Sequence, residues 1–195
     1  MSRSRTIDDT IVLDRAVSVF WQRGYAATSM RDLSEATGLG AAALYNRYHD
    51  KDGLFVEALR RYADEGLVER LARLSALREP LSAISGFFDE LIDMSVNDRD
   101  RRGCLLVNTV LDGATMSQAA RELVRERLGE VESFFRVQLQ RAREAKRITS
   151  EIDPCYAAET LLGTVLAIRV MARLDPDHGR LRRLVHTALA SLTPS

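Results

Sequence analysis

Apolar residues recur at helical spacing along almost the whole of this 195-residue chain. In the first such segment they follow the i, i+3, i+4, i+7 pattern of an amphipathic helix, at Leu13, Ala16, Val17 and Phe20. Few segments alternate apolar and polar residues as a half-buried strand does. The helical segments are separated by short polar, glycine or proline connections, and they predict an all-α protein of about nine helices.

The composition excludes several classes of protein. With 46% hydrophobic residues, 11 Gly and 4 Pro, the chain is not collagen-like, of low complexity or disordered. Its longest apolar run, 161–172, is interrupted by Arg169 and is shorter than the roughly 18 to 20 residues of a spanning helix, so we expect no membrane partner. Cys104 and Cys155 are too few for a disulfide framework. We therefore expect a cytoplasmic protein.

The charge balance does not by itself indicate a nucleic-acid partner. Lys and Arg together number 28, as do Asp and Glu, and residues 1–60 are balanced as well. Arginine supplies nearly all of the positive charge, because Lys51 and Lys146 are the only lysines. An argument for DNA binding must therefore rest on where the charges lie rather than on their sum.

Residues 29–47 have the outline of a helix-turn-helix. Ser29 and Asp32 stand in the relation of a capping box, which opens a short second helix. Gly38 ends that helix, because glycine tolerates a left-handed turn, and a third short helix follows from about Gly40. In such motifs the later helix lies in the major groove, and the start of the earlier helix faces a phosphate. We predict a three-helix head that binds DNA.

The sequence around this head resembles the DNA-binding domain of the TetR (tetracycline-repressor-like) family. The resemblance is dense over about residues 10–56, in Phe20-Trp-Gln-Arg-Gly-Tyr25, Ala27-Thr-Ser-Met-Arg-Asp-Leu33, Gly38, Ala43-Leu-Tyr45 and Asp50-Lys-Asp-Gly-Leu-Phe55. Residues 102–108 are similar to a segment of some members. The resemblance implies a homodimeric, effector-responsive transcriptional regulator, usually a repressor, on palindromic double-stranded DNA. It also implies a helix-turn-helix domain over 1–50 and a helical bundle for effector binding and dimerisation over 51–195.

The candidate DNA contacts come from the residues and from the resemblance. The set is Thr28, Ser29, Arg31, Ala41, Ala42, Tyr45, Asn46, Arg47 and Lys51. Thr28 and Ser29 offer hydroxyls and amides at the start of the second helix. The family motif implies DNA contacts at Thr28, at Tyr45, Asn46 and Arg47 in the third helix, and at Lys51.

The start of the third helix departs from the family pattern, because Gly40 is followed by three alanines. Alanine cannot hydrogen-bond to base edges and can only contact thymine methyl groups. We expect specificity to come from Asn46, Arg47 and Arg31 together with groove shape. Two alternatives remain: Arg31 is a solvated helix charge, and Tyr45 and Tyr48 are core aromatics.

The segment 156–171 is apolar around most of a helical circumference, which predicts a helix covered on two sides. With the amphipathic helix that follows, it forms a candidate dimer interface, composed of Leu161, Gly163, Val165, Arg169, Leu184 and Ala188. The alternative is the central core helix of one subunit. Arg169 is either an intersubunit ion-pair partner, which we favour here, or an anchor for an acidic effector.

An effector pocket needs a concave apolar lining with a few polar groups. The candidate lining is Phe87, Phe88, Leu91, Cys104, Asn108, Asp112, Phe134 and Phe135, which suits a small, largely apolar ligand. Asn108 either orients the effector or ties its helix to a neighbour. Cys104 is interpreted as a small buried hydrophobe rather than a redox sensor.

The sequence contains no enzyme motif in the structural context that the motif requires. Residues 38–43 fit G-x-G-x-x-A, but the buried strand that this dinucleotide fingerprint requires does not precede them. The three histidines show no metal-ligand spacing with each other or with the cysteines. We expect no catalytic residues, no metal and no cofactor. The competing hypothesis is an all-helical protein-interaction adaptor that has lost DNA recognition, which the neutral head and the three alanines favour.

Overall fold

The computed structural model describes residues 8–113, 116–190 and 192. The helices are α1 (Asp9–Ala27), α2 (Met30–Thr37), α3 (Ala41–Tyr48), α4 (51–75), α5 (Pro80–Asn97), α6 (Leu105–Leu111), α7 (Gln118–Glu144), α8 (Pro154–Leu174) and α9 (His178–Ala190). Over the described ranges there is no strand, and the prediction of an all-α fold is confirmed. In α4, the α-helical parts Lys51–Ala63 and Glu69–Ser75 are joined by a π-helical turn, Asp64–Val68.

Short-range hydrogen bonds explain where several helices begin. The Asp8 side chain accepts from the Thr10 amide at 3.0 Å, and the Asp50 side chain accepts from the Gly53 amide at 2.8 Å. Proline occupies the first turn of α5 and α8, where its missing N–H costs nothing. Gly24 has φ 77°, which breaks the helical backbone of α1 one turn before its end.

The described chain forms two compact units. The first runs to Glu65 and includes Cys104–Val124, and the second consists of Gly66–Gly103 and the chain from Arg125 onward. The predicted domain boundary after residue 50 therefore lies inside the first unit. The physical reason is that α4 begins by packing on α1, and α6 packs on both.

Aromatic packing holds the first unit together. The Phe20 ring of α1 meets the Phe55 ring of α4 edge to face, with centroids 4.8 Å apart, and the Tyr25 ring lies at the same distance from Phe55. Leu33 of α2 and Leu44 of α3 are fully buried. The two short helices are thus stabilised by tertiary packing, since helices of this length are marginal alone.

The second unit has its own hydrophobic core, built by α5, α7, α8, α9 and the end of α4. Phe87 of α5 lies 5.1 Å from Phe135 of α7, and Phe88 stacks on the same ring at 5.4 Å. By length and composition alone α8 would suffice to cross a membrane, at a mean hydropathy of 1.4. A third of its apolar stretch, including Leu161 and Ile168, is buried in this core.

Candidate nucleic-acid interface

The start of α2 is a complete capping box. The Ser29 hydroxyl accepts from the Asp32 amide at 3.2 Å, and the Asp32 carboxylate accepts from the Ser29 amide at 2.9 Å. Arg23 also pairs with this carboxylate. The hydrogen bonds from Ser29, followed by those from Arg23, lower the pKa of Asp32 to about 2. The capping box predicted at Ser29 is confirmed.

The turn between α2 and α3 is held by its own polar groups. Gly38 has φ 77° and ends α2 in the left-handed region, as predicted. The Ser34 hydroxyl donates to the Leu39 carbonyl at 2.6 Å, and Arg15 of α1 donates to the Thr37 carbonyl at 3.1 Å. These bonds set the direction in which α3 leaves the turn.

The inner face of α3 is anchored to α1. Tyr48 is buried, and its hydroxyl donates to the Asp9 carboxylate at 3.2 Å, so the interpretation of Tyr48 as a core aromatic is confirmed. Burial of the ring, followed by the charge of Asp9, raises the pKa of Tyr48 to about 12. Arg47 pairs with the same Asp9 carboxylate at 2.8 Å.

The outer face of α3 is exposed along its whole length. Tyr45 is 49% exposed, and the face is formed by Ala41, Ala42, Tyr45, Asn46 and His49. Their spacing of i, i+1, i+4, i+5 and i+8 places them on one side of a helix. His49 was missed by the sequence analysis, although its position four residues after Tyr45 was a usable signal. It ends α3 with φ 70°.

Arg31 extends from the exposed side of α2 and makes no ion pair with any described residue. The other basic side chains described between residues 8 and 65 are engaged with carboxylates or carbonyls: Arg15, Arg23, Arg47, Lys51, Arg60 and Arg61. Arg61, for example, donates to Asp14 at 2.8 Å, and that carboxylate raises the pKa of Arg61. Among the described residues of the head, Arg31 is therefore the guanidinium available to a polyanion.

Thr28 and Lys51 are engaged inside the first unit. Thr28 is 2% exposed, and its hydroxyl donates to the Gly24 carbonyl at 2.7 Å. The Lys51 ammonium donates to the carbonyls of Tyr25 and Thr28, both at 3.0 Å, and lies 4.2 Å from the centre of the Tyr25 ring. Lys51 therefore ties the end of α1 to the start of α4, a structural role that the sequence analysis did not provide for.

The approach of α4 to α3 depends on Gly53. A Cβ atom at this position would lie 2.1 Å from the Tyr48 carbonyl oxygen. Only a residue without a side chain allows the two helices to meet so closely. Sequence reasoning missed this requirement, because helical spacing does not distinguish this glycine from one that faces solvent.

The predicted pocket residues fall into two groups. Phe87, Phe88, Leu91, Phe134 and Phe135 are buried against one another in the second unit. Cys104, Asn108 and Asp112 belong to the first unit, where Asp112 lines a small cavity with Tyr25, Phe55, Thr109 and Met116. In the second unit, an open groove of about 250 Å³ is lined by Leu81, Ser82, Ser85, Leu189 and Leu192.

The predicted dimer residues also divide by exposure. Leu161, Val165 and Arg169 are buried within the single chain, whereas Gly163 is exposed and Leu184 and Ala188 are partly exposed. The outward face of α8 carries instead Tyr156, Gly163, Val170 and Leu174. The apolar circumference of α8 did not show which side the chain's own core would cover.

Two family models together match most of the chain. Residues 12–58 match the bacterial regulatory proteins of the tetR family, and residues 80–188 match the tetracyclin repressor-like C-terminal domain. The chain belongs to the TetR family. It is a DNA-binding transcriptional regulator, and regulators of this family are dimers that bind small-molecule effectors.

Relatives of known name support this assignment over the full length. The HTH-type transcriptional repressor ComR of Escherichia coli is 28% identical over 188 residues, covering 96% of this chain and 90% of ComR. The TetR regulator CifR, solved with 26-bp double-strand operator DNA, is 28% identical with a TM-score of 0.86, covering 98% of this chain and 100% of CifR. E. coli NemR in its reduced form shares the TetR fold, with a TM-score of 0.83 at 19% identity, covering 96% of this chain and 100% of NemR.

Proposed function

We propose that this TetR-family protein is a dimeric repressor that binds a palindromic operator through α3 of each subunit and is released by a small, largely apolar ligand. The observation that carries the proposal is the exposed face of α3, whose opposite side is anchored by Leu44 and Tyr48. A short helix packed on one side and exposed on the other suits insertion into the major groove. Two such helices, related by a twofold axis, suit two half-sites.

The proposed contacts have different chemistry along the head. Tyr45 and Asn46 contact base edges, and Ala41 and Ala42 pack against thymine methyl groups. The protein prefers operators whose major groove is easily deformed. Arg31 and the exposed amide end of α2 at Ser29 bind phosphates.

Three candidates for DNA contact, Arg47, Lys51 and Thr28, have partners inside the protein. Arg47 would exchange its ion pair with Asp9 for a phosphate, and Lys51 would add a phosphate contact through its third N–H. Thr28 supports the site by positioning the backbone at the start of α2 rather than by offering its buried hydroxyl. His49, at the end of the exposed face, joins the proposed contacts.

The proposed route of regulation runs through α4. This helix begins in the first unit and ends in the second, and its π-helical turn Asp64–Val68 coincides with the change of unit after Glu65. Single π turns within α-helices are frequently found at functional sites, and we propose that this one lets α4 bend. Ligand binding in the second unit would shift α4 and thereby the spacing of the two α3 helices, provided that the ligand binds the two states with different affinity.

We propose no catalytic role and a cytoplasmic location. The relatives are named as transcriptional regulators, and a duplex operator is a cytoplasmic target. Among the described residues, no group of three or more His, Cys, Asp or Glu side chains is arranged to hold a metal ion.

Selection of bound sites from random duplex DNA tests the proposal. We expect a palindromic consensus, with Tyr45→Ala and Asn46→Ala each weakening binding to it by about 5- to 150-fold, a loss of about 1–3 kcal/mol per base contact. Arg60→Ala, on the exposed side of α4, serves as the control and should bind normally. A protein with unchanged fold that selects no duplex would contradict the proposal and favour the adaptor hypothesis.

A further inference from the structure

Arg169 of α8 is a buried guanidinium in the second unit, 8% exposed. Its Nη1 donates to the Ser95 hydroxyl of α5 at 3.0 Å, and Ser95 in turn donates to the Leu91 carbonyl at 2.6 Å. The Nε of Arg169 is enclosed and has no acceptor among the described residues. Nη2, which shares the same edge of the guanidinium, likewise makes no hydrogen bond to them.

The two acids that flank Ser95 along the chain have other partners. Asp98, just after α5, pairs with Arg102 at 3.1 Å and accepts from the Gly103 amide at 3.2 Å. Asp93 faces His178 at 3.7 Å. The last turn of α5 presents the negative end of a helix dipole to Arg169, which is only a partial charge. The described residues therefore leave a buried cation without a counter-charge, an arrangement that is costly unless an anion completes it.

Arg169 points away from the face of α8 that is open to a partner subunit. It lies among residues buried in the chain's own core, next to Ile168 and one turn from Val165. The exposed positions Gly163 and Val170 lie on the other side of the helix, roughly 100° or more around its axis. A carboxylate from a second subunit seated on that exposed face would not meet the Nε edge. This geometry favours a ligand over an intersubunit ion pair.

We infer that Arg169 and Ser95 form an anion-binding subsite, and that the effector of this regulator carries a carboxylate on an apolar body. Ser95 holds Nη1, which orients the Nε and Nη2 edge as a fork for the two carboxylate oxygens. One guanidinium among apolar neighbours matches a single negative charge with an apolar remainder. The regulatory role of this ligand rests on the proposed function, whereas the binding of an anion to Arg169 does not.

Admission of this ligand requires α5 and α8 to separate locally, because Nε is enclosed. The carboxylate would therefore bind the opened state of the second unit better than the closed one. Such a difference in affinity is what a ligand needs in order to shift a conformational equilibrium.

Thermal unfolding of the full-length protein with matched acid and amide probes tests the subsite. Octanoate and benzoate are compared with octanamide and benzamide, which have similar shape but no charge. We expect the better acid, at a hundredfold excess over its dissociation constant, to raise the Tm of the wild type by about 5–10 °C, and its amide to have little effect. Arg169→Gln should abolish the shift, and Ser95→Ala should weaken acid binding by about tenfold or more. Arg173→Gln, an exposed arginine one turn along α8, should behave as the wild type.

The subsite would be overturned if acids and amides raised the Tm equally, or if no probe raised it. An acid-specific shift that survives Arg169→Gln would also overturn it, as would a dimer that dissociates on Arg169→Gln in sedimentation while its response to acid is unchanged. If Arg169→Gln does not fold, Ser95→Ala and Arg169→Lys take its place, with the same weakened binding expected. Duplex binding is measured separately: a protein that selects an operator but shows no acid-specific shift retains the proposed function and loses the subsite.

Discussion

At the scale of single residues, charged groups in the head mostly hold the head together. The Asp9 carboxylate serves both Arg47 and Tyr48, and Asp32 serves both Ser29 and Arg23. The neutral charge balance of this part of the sequence is thus accompanied by internal pairing among the charged groups that the structure describes. It does not argue against DNA binding, which depends on the few groups that face outward.

Replacement of Lys51 tests its internal role. Lys51→Met removes two hydrogen bonds to carbonyls at the junction of α1 and α4, and should lower the free energy of unfolding by about 1–3 kcal/mol. Urea unfolding measures the change, with Lys146→Met, at an exposed lysine of the second unit, as the control. If stability is unchanged while the slope of log binding constant against log salt concentration falls by the equivalent of about one phosphate contact, Lys51 acts on DNA alone.

The capping box predicts an unusually acidic Asp32. Because the folded pKa of about 2 lies below the usual value, the ionised side chain favours the folded state above about pH 4, and this contribution is lost as the pH falls through about 2. Titration of the Asp32 carboxyl carbon by NMR should show this low pKa. Ser29→Ala should raise the pKa toward the usual value, and a pKa that does not respond to Ser29→Ala would refute the stated cause.

At the scale of elements, helix ends are determined by residues close in sequence, whereas contacts between helices are determined by tertiary packing. The capping residues Ser29 and Asp50 act within three residues along the chain, so their helices were predictable from local patterns. The contact between the end of α3 and the start of α4 depends instead on the backbone separation at Gly53. This separation also determines the orientation of α3 and of its exposed face.

Gly53→Ala should therefore impair both stability and duplex binding. The added methyl group would lie 2.1 Å from the Tyr48 carbonyl, so one helix must move, at a cost of about 1–3 kcal/mol. Gly66→Ala, on the same helix with nothing within 4 Å of its Cβ, is the matched control and should be neutral or stabilising. Thermal unfolding and duplex affinity measure both effects. Equal behaviour of the two variants would contradict the close approach.

At the scale of the whole molecule, the function requires two copies of the chain. The second unit leaves Tyr156 of α8 71% exposed and Leu174 78% exposed, although Leu161, Val165 and Ile168 on the other side of this helix are buried in the core. Large exposed side chains on one helical face are typical of a surface that another subunit covers. The outward face of α8 is thus our candidate for the centre of the dimer interface.

A charge in that face should separate the subunits. Gly163→Arg places a long cation where nothing lies within 4 Å in the single chain, and it should shift the protein toward monomers and weaken operator binding by tenfold or more. Gly129→Arg in α7, whose Cβ is equally unobstructed, controls for the gain in helix propensity. Sedimentation velocity measures the oligomeric state. A Gly163→Arg variant that stays dimeric would move the interface elsewhere.

The sequence by itself determined the helices, the turn at Gly38 and the family, because helical periodicity, caps and motif residues act over a few positions. It did not determine which side of α8 is buried, that Lys51 reaches the Tyr25 carbonyl 26 residues away, or that Arg169 meets Ser95 across 74 residues. Those contacts exist only after the helices have packed. The tertiary structure alone therefore decided which charged groups pair inside the protein, and so which ones we propose for DNA and for a ligand.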